Sequence, residues 1–144
     1  MSIEVRGEVT IRRDRDEVAG YMTDPSNDPE WIGGLREARL LGEPPLRQGS
    51  RVARIAGFLG RKVEYVNEVT DLGPGRLEMR SVKAPFPMHI TYTFAPDSHG
   101  TVVTNTVRGD PGRMFWFAGP LLSRMVRRNV QRDLERLRDV LEKR

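Results

Sequence analysis

The chain has 144 residues, of which 38% are hydrophobic and 31% are charged, and its formal net charge is +4. This length fits one domain, residues 1–144, with enough core to fold without disulfides or structural metals. The sequence contains no cysteine, which excludes thiolate catalysis and cysteine-ligated metals. It shows no apolar run long enough to span a bilayer and no signal-peptide pattern, so we expect a cytoplasmic protein.

The first thirty-four residues predict one strand followed by short helices. Apolar and polar side chains alternate over Ile3–Ile11, which is typical of a strand with one buried face. A helix is predicted over residues 14–24, with Asp14 as its N-cap and Glu17 completing a capping box. Two prolines and a Gly-Gly pair follow, and Trp31 between them is predicted to pack at one end of the sheet.

After Gly34 the sequence predicts six strands joined by short turns. The strands are expected at Arg36–Leu41, Arg51–Phe58, Lys62–Asp71, Arg76–Lys83, Met88–Ala95 and Thr101–Arg108. The connections are short and rich in glycine and proline. Neighbouring strands should therefore pair antiparallel, because a parallel crossover needs about a dozen residues.

The C-terminal segment predicts one long amphipathic helix, with Pro120 in its first turn. Its apolar residues recur at spacings of three and four, at Leu122, Val126, Val130, Leu134, Leu137 and Leu141. This helix is the only large apolar element available to cover an antiparallel sheet, so the predicted architecture is two-layer α+β. A helix about 10 Å across is much narrower than seven strands. We therefore expect uncovered apolar sheet surface beside it. Either the sheet curls and its side chains fill this space, or a cavity remains.

The ordered set of segments resembles a known family. The segments are residues 9–12 (VTIR), 16–18 (DEV), 23–32 (TDPSNDPEWI), 68–77 (EVTDLGPGRL), 92–96 (YTFAP), 100–104 (GTVVT) and 119–122 (GPLL). They resemble the START and Bet v 1-like (SRPBCC) superfamily, and within it the polyketide cyclase/dehydrase and lipid-transport branch. The resemblance implies the helix-grip fold: a curved seven-stranded antiparallel sheet around a long C-terminal helix, with two short helices after the first strand. It also implies a cavity that takes a hydrophobic small molecule or a lipid.

Alternation along the strands predicts which side chains face that cavity. The predicted ligand-binding residues are Tyr65, Asn67, Met79, Ser81, Ile90, Tyr92, Asn105, Phe115, Phe117, Leu122, Met125 and Val126. Asn67, Ser81 and Asn105 are polar positions on apolar faces, and a buried amide without a partner costs free energy. Each should therefore meet a neighbour, water or the ligand. Small-molecule pockets also combine many apolar groups with a few polar ones.

The segment that joins the last strand to the C-terminal helix has features typical of a docking surface. Met114 to Phe117 are four consecutive large apolar residues, which cannot all face inward on a regular element. Residues 113–144 hold nine basic and four acidic side chains, and Arg124, Arg127 and Arg128 have no acidic neighbour within a turn. Aromatic side chains beside arginines suggest transient docking at an anionic membrane. The alternative is a solvated helix face with aromatics packed on the sheet edge.

Catalysis and cofactors find little support in the sequence. With two histidines and no clustered metal ligands, we expect neither a metal nor another cofactor. His89 should point outward and His99 should lie in a turn. The predicted function is binding or transport of a hydrophobic molecule; the alternative is a polyketide aromatase/cyclase-like enzyme using Tyr65 and Tyr92 as catalytic candidates. Nucleic-acid binding is disfavoured, because aromatic residues do not interleave with the arginines. A monomer and a homodimer both stay open.

Overall fold

The computed structural model describes residues 3–58, 60–85, 87–110 and 119–144, which form one antiparallel sheet with helices. The strands are β1 (Ile3–Ile11), β2 (Leu35–Leu41), β3 (Arg51–Phe58), β4 (Arg61–Gly73), β5 (Arg76–Lys83), β6 (Met88–Asp97) and β7 (Gly100–Gly109). The helices are α1 (Arg15–Met22), a 3-10 helix (Pro25–Glu30) and α2 (Gly119–Glu142). The predicted α+β helix-grip architecture is confirmed.

The sheet has the order β1-β7-β6-β5-β4-β3-β2, so β1 and β2 are its edges. Strands β2 to β7 pair antiparallel with their sequence neighbours. The β1–β7 pair runs from Ile3 opposite Gly109 to Ile11 opposite Thr101. Register shifts in β4, after Val66 and after Val69, are irregularities of the β-bulge kind. Bulges increase local twist, which helps the sheet curl around α2.

The inner face of the sheet forms most of the core, as the alternation predicts. Its buried side chains include Val69, Leu77, Met79, Tyr92, Phe94, Val103 and Val107. Trp31 is 2% exposed, and its ring meets the Tyr92 ring edge-on at 6.0 Å between centroids. Trp31 is therefore a core residue where the turn before β2 closes over the sheet.

Helix α2 lies against β1, and its second half makes the closest contact. A Cβ added at Gly7 would lie 2.8 Å from Val130 Cγ1 and 3.2 Å from Leu134 Cδ1. The absence of a side chain at Gly7 is therefore what lets the helix approach the strand so closely. Leu134, Leu137 and Leu141 are at most 1% exposed. These contacts make residues 130–141 the packed half of α2.

Polar side chains fix the same half of the helix on both flanks. Gln131 accepts a hydrogen bond from the Glu8 amide at 3.2 Å and donates to the Glu8 carbonyl at 3.0 Å. It thereby pairs with the edge of β1 as another peptide group would. Glu142, about three turns further along the same side, accepts from the Arg12 amide at 2.8 Å, just after β1. On the opposite flank, Asp133 accepts from the Gly33 amide at 3.0 Å.

The predicted capping box at α1 is wrong. Asp14 does occupy the N-cap position, but its side chain makes no capping hydrogen bond. Glu17 instead lies 3.6 Å from Arg13 Nε. Arg13 also donates to the carbonyls of Glu142 and Arg144 at the end of α2. The cation beside α1 attracts the Glu17 carboxylate away from the backbone of Asp14.

Substitution Gly7→Ala should destabilise the protein by about 1–3 kcal/mol, because the stiff Val130 side chain cannot yield without moving α2. The control is Gly20→Ala in α1, where an added Cβ has nothing within 4 Å. That control should stabilise by about 0.5–1 kcal/mol, because alanine favours the helix. Urea unfolding measures both. Equal effects would contradict the close packing at Gly7.

Candidate ligand-binding site

The inner face of the sheet divides into a packed part and a more accessible part. Leu77, Met79 and Phe94 are 2 to 3% exposed. Val63, Tyr65, Met88 and Ile90 point to the same side but are only half-buried. We call these four residues the open end of the inner face. They lie toward the starts of β4 and β6.

Helix α2 shows the same division along its length. Val130 lies on Gly7, and Glu142 bonds to Arg12, so α2 runs beside β1 in the same direction. Its first half therefore extends toward Ile3, the end where β6 and β4 also begin. There Leu122 and Val126 are half-buried, although they continue the stripe that is fully buried from Leu134 onward. The first half of α2 and the open end of the sheet together frame the candidate site.

A buried ion pair lies at the inner end of this site. Arg54 Nη2 donates to Asp28 Oδ2 at 2.7 Å, and the two side chains are 7% and 3% exposed. Arg54 shares the inward side of β3 with Val52, and Asp28 comes from the 3-10 helix. Burial raises the pKa of the Asp28 carboxyl, and the neighbouring guanidinium opposes that rise. Arg54 remains cationic at any physiological pH.

Two tyrosines accompany the ion pair. Tyr65 lies opposite Arg54 in the β3–β4 register, and Tyr92 is buried on β6. Burial raises the pKa of both phenols above the usual value, and Arg54 partly offsets this. Both therefore stay protonated at neutral pH. They can donate a proton or a hydrogen bond, but neither is a base.

Several buried polar atoms of the site have no hydrogen-bond partner in the described part of the protein. They are Trp31 Nε1, Arg54 Nε, Asn67 Nδ2 and Asn105 Oδ1. Three of the four are N–H donors, which are costly to leave unpaired in an apolar interior. The set is suited to an acceptor oxygen. Ser81 behaves differently, because its Oγ accepts a hydrogen bond from the Met88 amide at 2.8 Å.

The ion pair borders a cavity of about 10 Å³. Its lining residues are Met22, Pro25, Asp28, Trp31, Ile32, Leu46, Val52, Arg54, Leu77, Met79 and Tyr92. That volume holds about one water molecule. The deep end of the site is thus filled by side chains, and a larger molecule must lie mainly toward the open end.

A larger surface depression of about 470 Å³ lies far from this site, beside the β6–β7 turn and the start of α1. It is lined by side chains of both charge signs, among them Arg12, Asp14, Asp97 and His99. Its wall is mostly polar and exposed, whereas pockets for small molecules are mostly apolar. We therefore place the candidate site at the inner face of the sheet.

The structure brings most of the predicted ligand-binding residues together. Asn67, Met79, Tyr92 and Asn105 are buried on the inner face, whereas Tyr65, Ser81, Ile90, Leu122 and Val126 are half-buried around it. Met125 does not join them, because it lies on the solvent side of α2 and is 37% exposed. Phe115 and Phe117 lie outside the described residues. Contact of any of these residues with a ligand stays a prediction.

Sequence reasoning missed Arg54 and Asp28, the most buried charges of the site. Arg54 alternates in phase with buried Val52, so its inward position could have been predicted from the strand pattern. Asp28 lies in a proline-rich turn and carries no comparable signal. Both histidines are where they were predicted. His89 lies on the outer face, 2.8 Å from Glu78, and His99 is exposed in a turn.

Within the described ranges, no group of three or more histidine or acidic side chains could hold a metal ion. Among the helices of the same ranges, none is both long and apolar enough to cross a membrane.

Comparisons with solved structures show the same helix-grip class. TTHA0849 from Thermus thermophilus superposes with a TM-score of 0.82 at 20% identity, over 94% of each chain. The Zhui aromatase/cyclase from Streptomyces gives 0.81 at 20% identity, over 100% of this chain and 96% of that one. The di-domain ARO/CYC StfQ of the steffimycin biosynthetic pathway gives 0.80 at 12% identity, over 96% of this chain and 50% of that one. At these identities the likeness shows the fold.

The family follows from a match of the sequence to a family model. Residues 2–142 match the family described as polyketide cyclase / dehydrase and lipid transport, and the chain belongs to it. A comparison with curated proteins gives no match. The predicted superfamily and branch are thus confirmed.

Removing one partner of the buried ion pair should be costly. Arg54→Met leaves the Asp28 carboxylate buried and uncompensated, so we expect a loss of about 3–5 kcal/mol in the free energy of unfolding at neutral pH. This loss should shrink as pH falls, because burial raises the pKa of Asp28 and the protonated form is favoured in the folded state. The Arg54→Met/Asp28→Asn double variant should lose less than the sum of the single variants.

The matched control is Arg51→Met on the outer face of the same strand. Arg51 is 55% exposed and lies 3.7 Å from Glu68. Its substitution should leave the free energy of unfolding almost unchanged, because exposed ion pairs contribute little. Urea unfolding of the four variants at neutral and mildly acidic pH gives the comparison. Additive losses at positions 28 and 54 would contradict the coupling.

Proposed function

We propose that the protein binds or transports a hydrophobic small molecule or lipid between the open end of the inner face and the first half of α2. The supporting observation is the half-burial of Leu122 and Val126 on a stripe that is otherwise fully buried. Apolar side chains in this state gain free energy when a ligand covers them. Membership of a family that includes lipid transport supports the same function.

The polar inner end of the site selects among hydrophobic ligands. Asp28 already neutralises Arg54, so the site offers no net positive charge to a carboxylate. The unpaired N–H groups of Arg54, Trp31 and Asn67 still favour an acceptor. The small cavity that Arg54 and Trp31 line has room for about one oxygen-sized group. The best-matched ligand is an apolar molecule that carries a neutral oxygen, such as a ketone, an ester or a phenol.

A second function uses the same site for catalysis. Zhui and StfQ, which share the fold, are described as an aromatase/cyclase and an ARO/CYC. In this chain Tyr65 and Tyr92 flank Arg54 and are held in the protonated form. In an intramolecular aldol cyclisation the enol carbon of a poly-β-ketone would attack a carbonyl carbon whose oxygen is bound by Arg54. Either phenol would give its proton to that oxygen and regain one from the enol hydroxyl, so the C–C bond forms with no net change in protons. This would make the protein a polyketide aromatase/cyclase-like enzyme.

Filling the open end should weaken ligand binding. Ile90→Trp places an indole in the proposed space and should weaken the binding of Nile red, a neutral hydrophobic dye with a carbonyl group, by about tenfold or more. The control is Thr91→Trp, because adjacent strand residues point to opposite faces. Fluorescence titration measures the affinity, and circular dichroism checks the fold. Equal affinity in both variants would place the dye elsewhere.

Tyrosine substitutions distinguish a carrier from an enzyme. Tyr65→Phe and Tyr92→Phe keep the apolar ring, so each should change the affinity for Nile red by less than about threefold. Incubation with a linear poly-β-ketone, followed by mass spectrometry, detects cyclisation and the dehydration that follows it as loss of water. An enzyme would form this product, and the phenylalanine variants would slow it. The carrier function predicts an unchanged substrate with all three proteins.

A further inference from the structure

The first half of α2 has a solvent-facing side that the fold does not explain. We define the basic face of α2 as Leu121, Arg124, Met125, Arg127 and Arg128. All five side chains are exposed, and Leu121 reaches 69%. At 3.6 residues per turn, Leu121 and Met125 lie opposite the stripe that packs on the sheet. Two apolar side chains thus stand in water among three cations.

These arginines contribute nothing visible to the stability of the fold. Within the ranges that the structure describes, none of the three makes an ion pair or a side-chain hydrogen bond. Arg124 and Arg128 are four residues apart, a spacing at which like charges repel on a helix. They also lie toward the positive end of the helix dipole.

The charges at the two ends of α2 do not suit the helix dipole. The first turn of α2 contains no acidic residue, and the last turn contains no basic one. The helix dipole favours the opposite arrangement at both ends. Intrinsic helix stability therefore does not account for the positions of Arg124, Arg127 and Arg128. An anionic partner would remove the mutual repulsion of the three arginines.

We propose that the basic face of α2 docks on an anionic lipid bilayer. Exposed apolar side chains beside arginines match the headgroup layer of such a membrane, where Leu121 and Met125 enter the acyl boundary and the guanidinium groups meet phosphates. An acidic protein or a nucleic acid would attract the arginines but would not require the two apolar side chains. The basic face contains no aromatic residue on which bases could stack. With three cations, the attachment is reversible.

The docking surface does not depend on the ligand proposed above. It lies across the helix from Leu122 and Val126, at the same end of the molecule as the open end of the inner face. Docking there would bring the ligand site close to the lipid. The two proposals fail separately, because Nile red affinity and vesicle binding are different measurements.

Vesicle flotation tests the docking surface. The wild-type protein should float with vesicles of phosphatidylcholine and phosphatidylglycerol and not with phosphatidylcholine alone, and added salt should weaken the binding. Arg124→Gln/Arg127→Gln/Arg128→Gln should lower the partition coefficient about a hundredfold, at about fivefold for each arginine. The control Arg12→Gln/Arg39→Gln/Lys143→Gln removes the same charge from other exposed positions and should bind nearly as the wild type does.

Two more measurements make the result specific. Leu121→Ser/Met125→Ser should also reduce flotation, because bilayer docking uses both apolar side chains. In thermal unfolding, the arginine triple variant should be at least as stable as the wild type. In fluorescence titration, its affinity for Nile red should be unchanged. Four results would overturn the proposal: no flotation of the wild type, equal flotation of the triple variant, equal loss in the control triple, or no effect at Leu121 and Met125. The last would show that the arginines act by charge alone, so that an acidic protein or a nucleic acid would fit the surface as well as a bilayer does.

Discussion

One helix has to cover the inner face of a seven-stranded sheet, and it is too narrow to do so. The structure resolves this by packing the second half of α2 closely and leaving the first half less covered. Val130 and Leu134 close onto β1 at Gly7, where the absence of a side chain allows the approach. Gln131 and Asp133 hold the two flanks through backbone hydrogen bonds. The apolar side chains left over at the opposite end define where a ligand can lie.

The buried ion pair gives that apolar space a polar inner end. Arg54 and Asp28 are fixed on each other at 2.7 Å, with both side chains almost fully buried. Such a pair is weak evidence for stability, because desolvation offsets much of the Coulomb attraction. The pair has a clearer effect on binding. It fixes the Arg54 guanidinium, so that its unpaired N–H group lies near the unpaired N–H groups of Trp31 and Asn67 and two protonated tyrosines. These groups can orient a bound carbonyl or polarise it, which is why carrier and cyclase functions both fit one geometry.

The sequence predicts the fold well because the fold depends on local patterns. Alternation on β4 to β7 places Asn67 and Asn105 inward and His89 outward, and the structure agrees. The stripe on α2 is predicted equally well as a helix face. Its uneven burial is not, because Leu122 and Leu137 occupy equivalent positions in the periodic pattern. Leu122 and Leu137 differ in burial only because of where the helix lies relative to the sheet. Arg54 and Asp28 are 26 residues apart, and no local spacing links them.

Amide hydrogen exchange along α2 tests the central claim most directly, with and without saturating Nile red. The account predicts that residues 130–141 exchange slowly in both states, because packing and flank hydrogen bonds already protect them. Residues 121–129 should exchange faster in the free protein and become protected when the dye binds. Uniform protection along the helix in the free protein, or dye-induced protection confined to residues 130–141, would contradict a ligand site under its first half.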